Sequence, residues 1–315
     1  MKSQTDNIAK EDAYTLALFA QDEIKLLRNL QALIGVRYIY HENFKNHATP
    51  NVALMYKPGK FNFRASYAAG FRTPTLSELY ATDIAKKNDR LTIGNLDLKP
   101  EKNNYFSLSA EYVHERFSVS VNAFYNNIRD MIDYNTIATG DKAMEQYGHK
   151  EVRQRDNIAE AKVHGINVSA NAYLGAGFNL SGGYTHLNTQ DVELGQPIDK
   201  SIKNAYNINA QWAHSWKIYR LNINLNGRFN SKRFSKSYGY APEYQLWDLN
   251  TRHSFNLKSV IIEPGCGMEN LFDYMDDRPY NSNYATLTPG RSFYISLSSV
   301  SYTHLRAHET SAHLV

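Results

Sequence analysis

Cysteine is nearly absent: the 315 residues contain one, Cys266. A single thiol excludes an internal disulfide and any cysteine-based zinc site, which leaves Cys266 as a small buried or lipid-facing side chain. Long apolar runs are also missing. No stretch reaches the ~18 apolar residues of a transmembrane helix, and residues 1–12 are polar, without the hydrophobic region of a signal peptide. Charge of one sign is scarce as well. The 35 Lys and Arg are scattered and set against 31 Asp and Glu, so a nucleic-acid footprint is not indicated. Proline is low at 9, while Tyr (23) and Phe (14) are plentiful, a mix that favours strands over helices. The length does not force a division, because all-β barrels run this long as one unit.

Period-two alternation, which sends successive side chains to opposite faces of a sheet, is the clearest pattern present. Phe117, Val119, Val121, Ala123 and Tyr125 share one face, and Ser118, Ser120, Asn122 and Phe124 the other. Tyr219, Leu221, Ile223 and Leu225 likewise alternate with Arg220, Asn222, Asn224 and Asn226. About thirteen such segments begin near residues 13, 30, 50, 60, 104, 117, 162, 177, 204, 218, 244, 259 and 291.

The links between segments sort by length. Those at residues 27–29, 57–59, 114–116, 174–177, 216–217 and 256–258 are tight. Every other link, at 41–49, 71–102, 127–160, 188–203, 230–243 and 272–289, is longer. Antiparallel strands joined this way collect short turns at one end and long loops at the other, as transmembrane β-barrels do. A soluble sandwich has no reason to sort its loops so. The polar face is rich in Asn, Ser, Thr and Gln rather than Lys and Glu, which fits a polar lumen, and Tyr and Trp near strand ends fit interfacial girdles.

Three stretches carry a family resemblance. "YAAGFRTPTLSELY" (67–80) with "IGNLDLKPEKNNYFSLSAEY" (93–112), then "ENLFDYMDDRPY", then "TPGRSFYISLS" resemble, in order and spacing, the TonB-dependent outer-membrane receptors of Gram-negative bacteria. The residues that match are Phe71, Arg72 and Pro74; Asn95, Leu98 and Pro100; Asn270, Leu271 and Phe272; and Pro289, Gly290 and Arg291. Leu96 stands where the second box commonly has Pro. Each motif also reads physically. Pro74 cannot donate to a ladder and ends a strand, Asn95 and Pro100 punctuate the return, and Asn270 and Asp273 are placed to bond nearby backbone at a loop lip. Arg72, Pro74, Asn95 and Pro100 are read as architectural in preference to ligand-binding.

The resemblance covers residues 12–298. It implies an all-β, antiparallel up-and-down transmembrane barrel, with about thirteen C-terminal strands of a roughly 22-stranded whole. A plug domain and a TonB-binding box are expected ahead of it, so the sequence is read as a C-terminal fragment with an internal Met1, its two sheet edges unpaired. It further implies energy-coupled import of a scarce large solute, most readily a ferric siderophore or other iron complex, with haem or cobalamin as alternatives. TonB and outer-membrane lipid are the implied partners. No resident cofactor or metal and no enzymatic activity are expected: Asp248 and His253 lie five apart in one strand, hence on opposite faces. A receptor-only or adhesive surface barrel is the alternative class.

Candidate ligand contacts are the loop residues Tyr80, Arg90, Tyr147, His149, Arg153, Arg155, Arg233, Lys236, Tyr238 and Tyr240, since cations and aromatic rings suit an anionic chelate. Haem would call for an axial His or Tyr. Residues 75–94 contain no His, which leaves His41, His47 and His149 in other expected loops. The last stretch, "SYTHLRAHETSAHLV", has no place in a barrel and resembles translated sequencing-adapter DNA, so residues 299–315 are expected to be non-native. His304 and His308 share a helical spacing, but the H-E-x-x-H pattern is absent.

Overall fold

The computed structural model describes residues 12–301, apart from 237, 258–259 and 277–284 and the side chains of 158, 159 and 301. The chain is almost wholly strand. In order come β1 (Thr15–Leu27), β2 (Leu30–His41), β3 (Lys45–Tyr56), β4 (Phe61–Arg72), the short helix α1 (Leu76–Tyr80), β5 (Thr82–Ala85) and β6 (Arg90–Ile93). Then follow β7 (Glu101–Val113), β8 (Phe117–Thr139), α2 (Gly140–Tyr147), β9 (Glu151–Gly175), β10 (Phe178–Asp191), β11 (Asn204–Trp216) and β12 (Tyr219–Asn230). The remainder is β13 (Arg233–Ser235), β14 (Gly239–Ala241), β15 (Tyr244–Leu257), β16 (Val260–Glu269) and β17 (Ser292–Ser301).

Thirteen of these form one antiparallel meander, β1-β2-β3-β4-β7-β8-β9-β10-β11-β12-β15-β16-β17. Most of its strands begin close to the residues read from alternation; β3 and β9 start earlier, at Lys45 and Glu151. The register aligns like side chains across neighbours. Leu54, Ala65, Leu108, Ala123 and Ile166 make one row through β3, β4, β7, β8 and β9. On the opposite face Arg64, Ser109, Asn122, Asn167 and Thr185 make another, through β4 to β10.

The two faces meet different surroundings. On the polar face side chains bond across strands: Ser66 to Ser107 at 2.6 Å, Ser120 to Ser169 at 2.7 Å, Thr185 to Asn167 at 2.9 Å, and Asn209 to Asn224 at 2.7 Å. None of the described residues packs over the apolar face; Leu108 is 63% and Ile295 88% exposed. A continuous exposed apolar face of this extent is a surface made for contact with something apolar. Rings border it. At the tight-turn end Phe61, Tyr112 and Phe117 touch in sequence, as do Trp216, Tyr219 and Phe255. Further along the strands, Tyr67 meets Phe106, and Tyr184 meets Tyr206.

Several boundaries differ from the expectation. The link at 41–49 is a tight turn of three residues, Glu42–Phe44, so His41 and His47 lie in strands. The third strand starts at Lys45 and passes through Pro50, which is tolerated because β3 pairs with β4 only from Asn51 onward; at Pro50 its β4 side has no ladder to break. The 127–160 link is mostly ladder too. Strands β8 and β9 stay paired out to Thr139 and Glu151, leaving only 140–150 as connection. The last strand continues past Ser298, with Ser299, Val300 and Ser301 opposite Ile262, Ile261 and Val260. His304, His308 and His313 lie outside the described residues.

Because each face has its own solvent, substitutions should be face-specific. Leu108→Arg, on the apolar face, is expected to cost about 2–4 kcal/mol if that face meets lipid. Ser109→Glu, one residue along on the polar face and opposite Arg64, should cost little. Fold recovery of the intact receptor into phospholipid bilayers, read as the heat-modifiable band on unboiled gels, checks this; equal losses for both would contradict the assignment of faces.

Candidate functional site at the long-loop end

Alternating tight and long connections bring the long ones together at one end of the sheet. The largest, between β4 and β7, is anchored by Arg72. Its Nε donates to Glu101 Oε2 at 2.7 Å, Nη2 to Glu101 Oε1 at 2.5 Å, and Nη1 to Glu78 Oε2 at 2.9 Å. Glu101 Oε1 also accepts the Ile132 amide of β8 at 2.8 Å, so one guanidinium ties β4, α1, β7 and β8. Thr75 and Glu78 form a reciprocal capping box that starts α1 right after the buried Pro74. Burial works against the Glu78 charge, but the hydrogen bonds from Arg72 and from the Thr75 amide and hydroxyl outweigh it and hold that carboxyl below its ordinary range.

Beneath this clamp sits a small core of Leu79, Leu98 and Ile132, with Phe44 and Tyr80 packed against it. Asn95 Oδ1 accepts the Asp97 amide, an Asx turn that leads Leu98 inward. Asn157, on β9, holds the loop from the far side: its Oδ1 takes the Lys99 amide at 2.7 Å, and its Nδ2 donates to the carbonyls of Lys99 and Asp130. Pro100 then delivers the chain to β7.

The same insertion reaches the tip of the β8–β9 hairpin. Strand β6 pairs in parallel with β9, Arg90 opposite Glu151. His149 Nδ1 lies 2.8 Å from Asp89 Oδ1, and the Lys150 amide donates to the Asp89 carbonyl at 3.0 Å. The His149 contact holds the Asp89 carboxyl below its usual range. Arg153 bonds Glu151 at 2.6 Å. Arg155 lies 3.7 Å over the half-exposed Tyr134 ring while also donating to a phenol oxygen, that of Tyr134 itself, at 2.6 Å. Tyr147 closes α2, and Gly148, at φ 72, turns the chain out of it.

A second group of loops comes from the β10–β11 and β12–β15 connections. Lys236 Nζ pairs with the buried Asp191 at 3.0 Å, and its amide donates to Asp199, stitching the two loops together. Arg233 enters a bridge with Ile202. Phe234 packs on Tyr240, leaving Tyr238 and Tyr240 54% and 53% exposed.

The third feature is the corner after β16. Asn270 is 1% exposed with φ 51. Its Oδ1 accepts the Tyr274 amide at 2.8 Å, its Nδ2 donates to the carbonyls of Tyr274 and Pro289, and its own amide donates to Asp248. Leu271 donates to the Trp247 carbonyl, Phe272 stands edge-on to the Trp247 ring, and Asp273 accepts the Arg291 amide at 2.6 Å. A Cβ on Gly290 would approach Asp273 Oδ1 to 2.8 Å. Thus Asn270, Asp273, Pro289, Gly290 and Arg291 form one lip where the last strand begins.

These motifs sit on an exposed apolar belt with all large connections at one end. Over residues 2–271 the chain matches the family model of the TonB-dependent receptor-like β-barrel. The chain belongs to this family. The ferric enterobactin receptor of Pseudomonas aeruginosa is 22% identical over 92% of the chain and 43% of its own length. A mutant of that receptor solved with enterobactin superposes with a TM-score of 0.72 at 21% identity, covering 92% of this chain and 46% of the other. The siderophore receptor PirA from Acinetobacter baumannii gives a TM-score of 0.72 at 18% identity, covering 95% and 48%. The chain therefore spans a little under half the length of these relatives.

TonB-dependent receptors are receptors and transporters, not enzymes. In this barrel Asp248 and His253 have separate partners, Asn270 and Tyr219. Among the described residues no group of three or more His, Cys, Asp or Glu gathers to hold a metal. Of the residues singled out as ligand contacts, His149, Arg153 and Lys236 are engaged with carboxylates and Tyr80 with the loop core, whereas Tyr238 and Tyr240 are exposed and Arg155 is partly exposed against the half-exposed Tyr134 ring. From the sequence no role is assigned to their partners Asp89, Tyr134, Glu151 and Asp191, nor to the loop-holding Glu78, Glu101 and Asn157. Glu78 has a local signal in the Thr-x-x-Glu spacing of a capping box, and Glu101 has one as the residue that follows Pro100 in the second motif.

Two outcomes follow. Asn270→Ala strands buried backbone groups and is expected to cost about 2–3 kcal/mol, lowering the temperature at which the folded band disappears; an unchanged temperature would contradict the corner's role. Glu78 has a depressed folded value, so its contribution is complete above the ordinary 4.5 and is lost as pH falls through the folded value. Hydrogen exchange at 73–81, corrected for intrinsic rate, is expected to rise on going from about pH 6 to about pH 3, with a smaller step in Glu78→Gln. Identical steps would contradict the clamp.

Proposed function

We propose that this chain is the barrel portion of an outer-membrane receptor that imports a ferric siderophore in a TonB-dependent manner. The observation that carries the proposal is the family match over residues 2–271, joined to an exposed apolar belt of transmembrane type. The named relatives, a ferric enterobactin receptor and a siderophore receptor, support iron-complex cargo. The barrel is the passive frame: it makes and breaks no bond in the cargo, and energy enters through TonB acting on a region N-terminal to it.

Cargo recognition belongs at the long-loop end. Tyr238 and Tyr240 offer exposed ring faces, and Arg155 offers a cation already stacked on Tyr134. A flat, anionic, aromatic chelate gains from both stacking and charge. Tyr147 and Arg90 stand at the neighbouring hairpin tip and belong to the same rim. Haem fits less well. His41 Nδ1 accepts the Asn43 amide, His47 stacks on Phe71 and bonds the Phe44 carbonyl, and His149 is held by Asp89, so each imidazole would have to leave a partner to ligate iron.

The test is growth of a deletion strain on single iron sources, complemented by the intact receptor. Rescue on one ferric siderophore, with uptake lowered roughly tenfold by Arg155→Ala combined with Tyr240→Ala, is the expected result. Rescue confined to cobalamin or haem would contradict the siderophore reading, and no growth defect on any source would contradict import.

A further inference from the structure

The apolar face of β7, β8 and β9 does not end as its neighbours do. Beyond the ring pair of Phe106 and Tyr125, the outward positions continue with Asn104 and Lys102 on β7, Asn127 and Arg129 on β8, and His164, Lys162 and Glu160 on β9. Lys102 stands directly opposite Arg129, and Arg129 directly opposite Glu160. Lys162 is the diagonal neighbour of Arg129 and lies 3.8 Å from Glu160. Two cations facing each other across a strand pair are unfavourable unless an anion lies between them. The one carboxylate in the row, Glu160, is shared with Lys162, so three cations are matched by one negative charge.

Placement separates this row from ordinary solvated charge. Lys102 and Arg129 are each four residues past the ring on their own strand, about 13 Å along it at ~3.3 Å per residue. With strands tilted by about 45° that is roughly 9 Å above the aromatic border, the level of lipid headgroups. Within β2, β10, β11 and β15 the outward positions past the border are uncharged: Tyr40 on β2, Asn188 and Gln190 on β10, Asn204 on β11, Gln245 on β15. Against these, Lys102, Arg129 and Lys162 stand together on three adjacent strands, on the side of the belt that carries the long loops.

We propose that Lys102, Arg129 and Lys162 form a binding site for the phosphate headgroup of an outer-leaflet lipid whose acyl chains lie on the apolar rows below. The shared headgroup oxygens supply the anion that the facing Lys102 and Arg129 lack, and Asn104 and Asn127 border the site with amide groups. The inference rests on the outer-membrane placement proposed above and does not depend on the cargo.

The experiment is native mass spectrometry of the intact receptor in detergent, titrated with dioleoyl phosphatidic acid, with dioleoyl phosphatidylcholine, or with inorganic phosphate. Retention of phosphatidic acid over phosphatidylcholine is expected, reduced roughly tenfold or more in Lys102→Gln with Arg129→Gln and preserved in Arg129→Lys. The heat-modifiable band is read on the same samples, so loss of the barrel is distinguished from loss of the site. If the double variant does not fold, Lys162→Gln alone carries the test with a smaller reduction. Equal retention by wild type and variants, equal retention of phosphatidylcholine, or capture of inorganic phosphate as tightly as of the lipid would each overturn the proposal.

Discussion

Hydrocarbon offers a backbone no hydrogen-bond partner, and the whole architecture follows from that constraint. Every strand of the meander must be paired by its neighbours, and side chains must alternate between lipid and lumen. Thirteen strands alternate in this way with nearly unbroken register, the eleven inner ones paired on both sides and β1 and β17 on one. The buried core in the usual sense is almost absent; Leu79, Leu98 and Ile132 form a small cluster under one loop. Stability of the sheet rests on backbone ladders and on the transfer of an exposed apolar face into lipid.

Outside the membrane the rules change, and so does the way the chain is held. Charged and amide side chains take over from hydrophobic rows. Arg72 gathers four elements through two carboxylates, Asn157 clamps the returning loop, and Asn270 organises the last corner. Loop bases of this kind carry the exposed Tyr238 and Tyr240 and the stacked Arg155. Most of the other polar loop residues named above bond one another, which leaves few groups for the proposed cargo.

Alternation in the sequence carried the strand starts because each strand has a lipid face, and the pattern is visible wherever lipid imposes it. It failed where that imposition stops. Strands β8 and β9 run on as paired ladder through Tyr134 and Arg155, where both faces meet water and no hydrophobic period exists to be read. The turn at Glu42–Phe44 was hidden because Pro50 and His47 look like loop residues, although Pro50 faces a gap in the β4 ladder. Among motif residues, Arg72, Glu101 and Asn270 were legible as a pattern, but their mutual contacts were not, and Asn157 and Asp248 come from distant strands with no local mark. Lys236 and His149 looked like free loop groups for the same reason; Asp191 and Asp89 are their partners only in three dimensions.

The central claim is orientation: an apolar belt in the outer membrane with its long connections outside the cell. Its most direct test is single-cysteine labelling of the intact receptor in living cells, in a Cys266→Ser background, with a membrane-impermeant maleimide. Tyr240→Cys, on the β12–β15 connection, is predicted to label in intact cells, and Lys217→Cys, in the tight β11–β12 turn, only after the outer membrane is permeabilised. Labelling of Lys217→Cys with protection of Tyr240→Cys in intact cells would contradict the account.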